Sequence, residues 1–115
     1  MANPEPILGR LYHIRNGVRL LPKHKLAKLR ISPLTEHVGW FRGTNKRDKF
    51  GGEFWFLRFE LIATSGHGPS SMKGYHRSIL ERKGFELTEI TVEDLPQFMH
   101  LPKKWPGFDR ALKGE

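Results

Sequence analysis

The chain contains no cysteine among its 115 residues, so disulfide bonds, thiolate chemistry and a cysteine-based zinc site are excluded. It has no apolar run long enough to span a membrane. Its first residues also lack the basic-then-apolar order of a secretory signal peptide. These absences predict an intracellular protein, cytoplasmic by default, that has no membrane partner.

Motifs for common cofactor and metal chemistry are also missing. The sequence contains neither a dinucleotide-binding fingerprint nor a Walker phosphate loop. Its six histidines are scattered, and none forms the H-x-x-x-H pair that holds zinc on a helix. We therefore expect no cofactor and no bound metal, and we assign no catalytic residue. A non-enzymatic role is favoured, although the sequence leaves enzymatic activity open.

The residues that are present predict one globular domain spanning 1–115. A chain of this length can bury one modest core, and eight Phe, three Trp and two Tyr are too many aromatic residues for a disordered chain. Residues 1–6 contain two prolines and no periodicity, which predicts an extended N-terminal arm. Residues 100–115 predict an irregular tail that is docked by Trp105 and Phe108.

Two hairpins are predicted in the first two thirds of the chain. Apolar runs flank Asn16-Gly17, and both residues tolerate the positive φ of a type I′ turn. A second hairpin joins strands at 38–42 and 53–64 through a polar loop at 43–52. The strand at 53–64 is rich in aromatic and branched residues. Its first half is apolar on both faces, which is typical of a central strand that is covered on two sides.

One covering helix is predicted near 71–83, because apolar residues recur there at helical spacing and Gly84 is suited to end it. These apolar residues are Met72, Tyr75, Ile79 and Leu80. A short strand over 85–90 and a turn of helix from Thr91 follow. The predicted fold class is therefore α+β: a small, mainly antiparallel sheet with one covering helix and an irregular C-terminal tail.

Positive charge is concentrated in the first half of the sequence. Residues 1–50 carry the whole net charge of +8, and the stretch 10–30 contains seven cations and no acid. A basic stripe attracts phosphate backbones or acidic surfaces, and a hairpin tip can bring cations to a nucleic-acid backbone. The candidate nucleic-acid-binding residues are Arg15, Arg19, Lys23, Lys25, Lys28, Arg30, Arg42, Lys46, Arg47 and Lys49.

Three functions are compatible with this pattern. The favoured one is non-enzymatic binding of nucleic acid, RNA before DNA, by an accessory or structural subunit of a larger nucleoprotein assembly. The first alternative is a small adaptor or inhibitor, of the phage type, that docks on an acidic protein surface. The second is a metal-independent nuclease in which His67, His76 and Lys73 supply a base, an acid and a cation.

A possible anion site lies between the central strand and the predicted helix. Backbone N–H groups at a helix N-terminus can hold a phosphate, although an ordinary strand-to-helix turn explains the same residues. The residues of this site are Gly66, His67, Gly68, Ser70 and Ser71.

Four aromatic residues raise the question of base stacking on an exposed sheet face. They are Trp40, Phe41, Trp55 and Phe56. Core packing is the favoured role for all four, because a small sheet needs such side chains for stability.

Overall fold

The computed structural model describes residues 3–17, 35–49, 52–66, 71–104 and 107–114, and the side chains of all these except 45–49 and 52–55. Over these ranges one antiparallel sheet has the strand order β4-β3-β2-β1-β5. Its strands are β1 (Leu11–Asn16), β2 (Thr35–Lys49), β3 (Gly52–Thr64), β4 (Met72–His76) and β5 (Phe85–Ile90). The predicted α+β class with a small antiparallel sheet is confirmed.

The hairpin of β2 and β3 is confirmed, and it is longer than predicted. The segment 43–49, where the sequence predicts a loop, continues β2, and Lys49 pairs with Gly52. Polar residues form a strand here because β3 pairs with their backbone, and strand preference depends strongly on such context. Irregularities at Val38/Gly39 and Phe41/Thr44 interrupt the register, and such bulges bend and twist a ladder.

The hairpin predicted at Asn16-Gly17 is not formed. β1 pairs along its whole length with β2 on one edge and with β5 on the other. Both edges of β1 are therefore occupied, so the run at 18–21 cannot be its partner, and that run lies outside the described residues. Gly17 instead donates its N–H to the carbonyl of Gly84 at 2.8 Å. A local turn signal is overridden here by pairing with a distant strand.

The covering helix predicted near 71–83 is replaced by β4 and a 3-10 helix at Arg77–Glu81. The free edge of β3 needs a partner, and Leu57 pairs with Tyr75. Gly74, inside the predicted helix, disfavours a helix by about 1 kcal/mol relative to alanine. Tyr75 and Leu80 are buried as the apolar pattern requires, but a strand and a 3-10 turn bury them instead of an α-helix.

The C-terminal tail is not wholly irregular. Of the two residues predicted to dock it, Phe108 is buried, and Trp105 lies outside the described residues. It contains a short helix, α1 (Gly107–Leu112), which buries Phe108 and Ala111. The chain before it runs beside the end of β3, where the N–H of Thr64 donates to the carbonyl of Pro102 and that of Lys104 to Ile62, both at 2.9 Å. The predicted helical turn after Thr91 is a 3-10 helix at Val92–Phe98.

The sheet separates two apolar clusters, one on each face. The inner face carries Tyr12, Ile14, Phe41, Leu57, Phe59, Leu61, Tyr75, Leu80, Phe85 and Leu87. On the outer face, the second 3-10 helix and α1 pack over Leu11, Val38, Ile62 and Ala63 with Leu95, Phe98, Leu101, Phe108 and Ala111. β3 is an interior strand, as predicted, but it is buried on both faces toward its end, at Leu61 and Ile62, whereas Phe56 in its first half is only half-buried.

The two edge strands approach each other, so the sheet curves around its inner face. The rings of Tyr75 in β4 and Phe85 in β5 have centroids 5.3 Å apart. Asn3 binds β5 and the 3-10 helix after β4. Its amide donates to the carbonyls of Leu80 and Phe85 at 3.0 and 2.8 Å, and its side-chain oxygen accepts from the N–H of Leu87 at 3.0 Å. The N-terminal arm therefore fastens the 3-10 helix that follows β4 to the edge strand β5.

The hydroxyl of Tyr75 is buried in the inner cluster and makes no hydrogen bond within the described part of the chain. Burial also raises the pKa of this hydroxyl well above its usual range. We expect Tyr75→Phe to stabilise the fold by about 1 kcal/mol, because it removes an unpaired buried polar group and keeps the ring. Urea denaturation of the two proteins measures this, and a loss of stability would show that the hydroxyl has a partner.

Candidate nucleic-acid interface

The predicted cations fall into two basic clusters along the sequence, one within 10–30 and one at 42–49, and these attach to opposite ends of β2. Residues 18–34 connect the end of β1 to the start of β2, where Asn16 pairs with Thr35. We call this end of the two strands the loop end of the sheet. The other cluster belongs to the part of β2 that leads to the turn between Lys49 and Gly52. We call this turn the tip end. At about 3.3 Å per residue, roughly 45 Å of extended strand separates Thr35 from Lys49.

The structure therefore attaches the two clusters of predicted cations to β2 at two separate places. Those of the loop-end segment (Arg19, Lys23, Lys25, Lys28 and Arg30) lie outside the described residues, and Lys46, Arg47 and Lys49 belong to the paired backbone of β2. Sequence alone does not show this separation, because it depends on the direction of β2.

Two of the predicted cations on the sheet already contact carboxylates. Arg15 lies 3.7 Å from Glu86, and Arg42 lies 3.2 Å from Glu60. Such exposed pairs contribute little to stability, but a phosphate at either arginine competes with the carboxylate. By contrast, residues 18–34 contain five Lys/Arg and no Asp/Glu, so they carry +5 of the net charge of +8.

Two further cations lie at the loop end. Arg82 and Lys83 are exposed in the turn that ends at Gly84, which has a φ of 100° and binds the N–H of Gly17. Neither cation contacts a carboxylate among the described residues. The sequence predicts the end of a helix here, so these two cations were not among the predicted binding residues.

The predicted anion site requires a helix that begins near residue 71, and the structure has β4 there instead. Of its residues the structure describes Gly66 and Ser71, and β4 begins directly after Ser71. The N–H of Gly66 donates to the hydroxyl of Thr64 at 3.1 Å, and the carbonyl of Ser71 accepts from Leu61 at 2.7 Å. His67, Gly68 and Ser70 lie outside the described residues.

The structure does not bring together the predicted nuclease residues that it describes. The Lys73 ammonium lies over the Tyr75 ring, 5.1 Å from its centroid, on the inner side of β4. The His76 ring lies 6.0 Å from that of Phe56 on the outer side. Lys73 and His76 are an odd number of positions apart on β4, and such residues point to opposite faces of a strand. His67 lies outside the described residues.

A cluster of two histidines and one carboxylate connects the sheet to the tail. His13 Nε2 donates to Glu36 at 2.6 Å, and His100 Nε2 donates to the other carboxylate oxygen at 3.4 Å. The His13 ring also packs on Phe98, with centroids 4.5 Å apart. Because these residues are far apart in sequence, no local pattern predicts this cluster.

Two opposing effects act on the pKa of Glu36. Burial raises the pKa of this carboxyl, and the hydrogen bonds and positive charge of the two histidines outweigh it, so its pKa falls below the ordinary value of 4.5. With one oxygen turned to each histidine, the carboxylate serves as a structural bridge. No group of three or more metal-binding side chains in the described ranges is arranged to hold a metal ion.

We expect Glu36→Gln to lower the free energy of unfolding by about 1–2 kcal/mol near neutral pH, because an amide replaces a charged acceptor. A carboxyl with a lowered pKa stabilises the fold above its unfolded pKa, and this contribution is lost as the pH falls through the folded value. The difference between wild type and variant should therefore shrink below about pH 4.5. Urea denaturation as a function of pH tests this, and a constant difference would contradict it.

Comparison with protein-family models gave no match, and comparisons with curated proteins and with solved structures also found no similar protein. Over the described residues, no helix combines the length and the apolar character needed to cross a membrane.

Proposed function

We propose that this protein binds nucleic acid without catalysing a reaction, and that it serves as an accessory or structural subunit of a larger nucleoprotein assembly in the cytoplasm. The observation that carries the proposal is the acid-free segment 18–34. It holds five cations and is attached at both ends to neighbouring strands at Asn16 and Thr35. Lys/Arg groups that replace the counterions of a phosphate backbone supply most of the affinity of such a contact.

The surroundings of the segment support the same partner. Arg82 and Lys83 lie in the turn that contacts Gly17, next to the point where the segment leaves the sheet. Arg15 and Arg42 on the sheet, in contrast, lie beside the carboxylates of Glu86 and Glu60. Uncompensated charge is thus attached to the sheet at the loop end, and a phosphate-binding surface requires such charge. We propose RNA before DNA, because single-stranded RNA is the form in which bases are most often open to proteins.

Affinity purification from a cell lysate, with and without ribonuclease and deoxyribonuclease, tests this function against the adaptor alternative. We expect RNA to co-purify at low salt, and ribonuclease to remove both the RNA and the proteins recovered with it. A stoichiometric protein partner that survives both nucleases, in the absence of bound nucleic acid, would overturn the proposal in favour of docking on an acidic protein surface.

A further inference from the structure

The contacts that hold the N-terminal arm to the sheet are polar. Asn3 binds the first 3-10 helix and β5 through its amide. Glu5 forms an ion pair with Arg77 in the same 3-10 helix, and the N–H of Ile7 donates to the Tyr12 hydroxyl at 2.7 Å. Residues 3–10 add no side chain to either apolar cluster. The arm of a second copy of the chain can therefore make the contacts of Asn3 and Glu5 equally well.

A tight turn at residues 7–10, which we call the hinge, connects the arm to β1. The N–H of Arg10 donates to the carbonyl of Ile7 at 3.1 Å, and Gly9 has the φ of 83° that the third residue of a type II turn requires. The first two side chains of the hinge, Ile7 and Leu8, are 51% and 69% exposed. Water disfavours two adjacent aliphatic side chains in this position, so the closed hinge is under an apolar penalty that a covering partner would remove.

The fold offers a backbone partner to a hinge that opens. β2 continues past the start of β1, and the N–H of Gly9 already donates to the carbonyl of Phe41 at 2.9 Å. Leu8 lies beside Gly43, two residues further along β2. Among the described strands, only β3 pairs with β2 at 44–49, so the other edge of β2 is available there. A straightened hinge can therefore extend β1 along β2 and carry the arm away from its own β5.

We infer that two copies of this chain exchange their N-terminal arms, so that Asn3 of each copy binds the 3-10 helix and β5 of the other. The exchanged dimer keeps the contacts of Asn3 and Glu5, and it adds a contact between the Ile7 and Leu8 side chains of the two hinges. Exchange of identical elements is a low-cost route to a dimer. The prolines at 4 and 6 fix their own φ angles and so reduce the entropy lost when the arm projects. The inference does not depend on nucleic-acid binding.

Disulfide crosslinking tests the exchange, because the chain has no cysteine of its own. The variants Glu5→Cys and Arg77→Cys are refolded together from urea and oxidised, and arm exchange predicts a disulfide-linked dimer that contains one chain of each variant. The matched control mixes Glu5→Cys with Lys113→Cys, which replaces an exposed cation of α1. Groups held side by side have an effective concentration near millimolar. At micromolar protein we therefore expect at least about tenfold more mixed dimer than in the control.

Light scattering of the wild-type protein keeps the test independent of the cysteine variants. As the concentration rises, we expect the mass to approach twice the 13.4 kDa of one chain. Leu8→Ser should weaken the dimer about tenfold, because it removes an apolar contact between the hinges. Leu112→Ser, at an exposed leucine of α1, is its control and should leave the dimer unchanged. A monomer at every concentration, or a dimer that gives no mixed crosslink, would overturn the inference and leave the proposed function untouched.

Discussion

Replacement of the five cations of residues 18–34 by glutamine is expected to weaken binding of single-stranded RNA about 10³-fold at about 0.1 M salt. Each phosphate contact on a single strand contributes about 0.7 to the slope of log affinity against log salt. Loss of five contacts reduces the magnitude of that slope by about 3.5. Between about 1 M and about 0.1 M salt, this change in slope corresponds to a difference in affinity of about 10³-fold. The replaced residues are Arg19, Lys23, Lys25, Lys28 and Arg30.

A control for this variant removes cations that lie outside the loop-end segment. Glutamine replaces Arg10, Arg77, Arg110 and Lys113, and three of these four already contact the carboxylates of Glu89, Glu5 and Asp109. Per cation removed, we expect a much smaller loss of slope and affinity than in the segment variant. Equal losses per cation would mean that only net charge matters and that the segment is not a binding element.

Phe108→Ala is expected to lower the free energy of unfolding by about 3–5 kcal/mol, the usual range for removing a large aromatic side chain from a core. Phe108 is fully buried in the outer cluster, with the Lys103 ammonium 5.5 Å from its ring centroid. α1 has six residues, and a helix this short is not stable without packing. Loss of the ring should therefore release α1 from the sheet.

Leu112→Ala provides the matched control for this variant, because Leu112 belongs to the same helix and is 46% exposed. A surface substitution of this kind should change stability by only about 0.5 kcal/mol. Urea denaturation measures both variants. A small effect of Phe108→Ala, equal to that of Leu112→Ala, would show that the tail does not dock on the outer face.

The elements that could be predicted are those whose side-chain pattern matches one structure only. β3 alternates apolar residues over 53–64, and the structure confirms it as Gly52–Thr64. The stripe from Met72 to Leu80 is compatible with both a helix and a strand, and the unpaired edge of β3 decides between them. Likewise, Asn16-Gly17 indicates a hairpin locally, but β5, distant in sequence, takes the available edge of β1.

The candidate functional residues could likewise be predicted only in part. Composition locates the acid-free segment, since charge is read directly from the sequence. The two basic clusters attach at opposite ends of β2, and this separation of their attachment points depends on how the strands are paired. Core packing was predicted for four aromatic residues: Phe41 is buried on the inner face, and Trp40 is half-buried but packs against the outer cluster. Phe56 is half-buried, and the side chain of Trp55 lies outside the described part of the chain. How far the tail extends over the outer face decides this exposure, and no local pattern encodes it.

The central claim is that residues 18–34 meet a phosphate backbone, and the salt dependence of wild-type binding to single-stranded RNA tests it most directly. For five contacts, a plot of log affinity against log salt should have a slope of about −3.5 or steeper, equivalent to a loss of about 100-fold between about 50 and 200 mM. A flat response, or no binding at the lowest salt concentration, would contradict the claim.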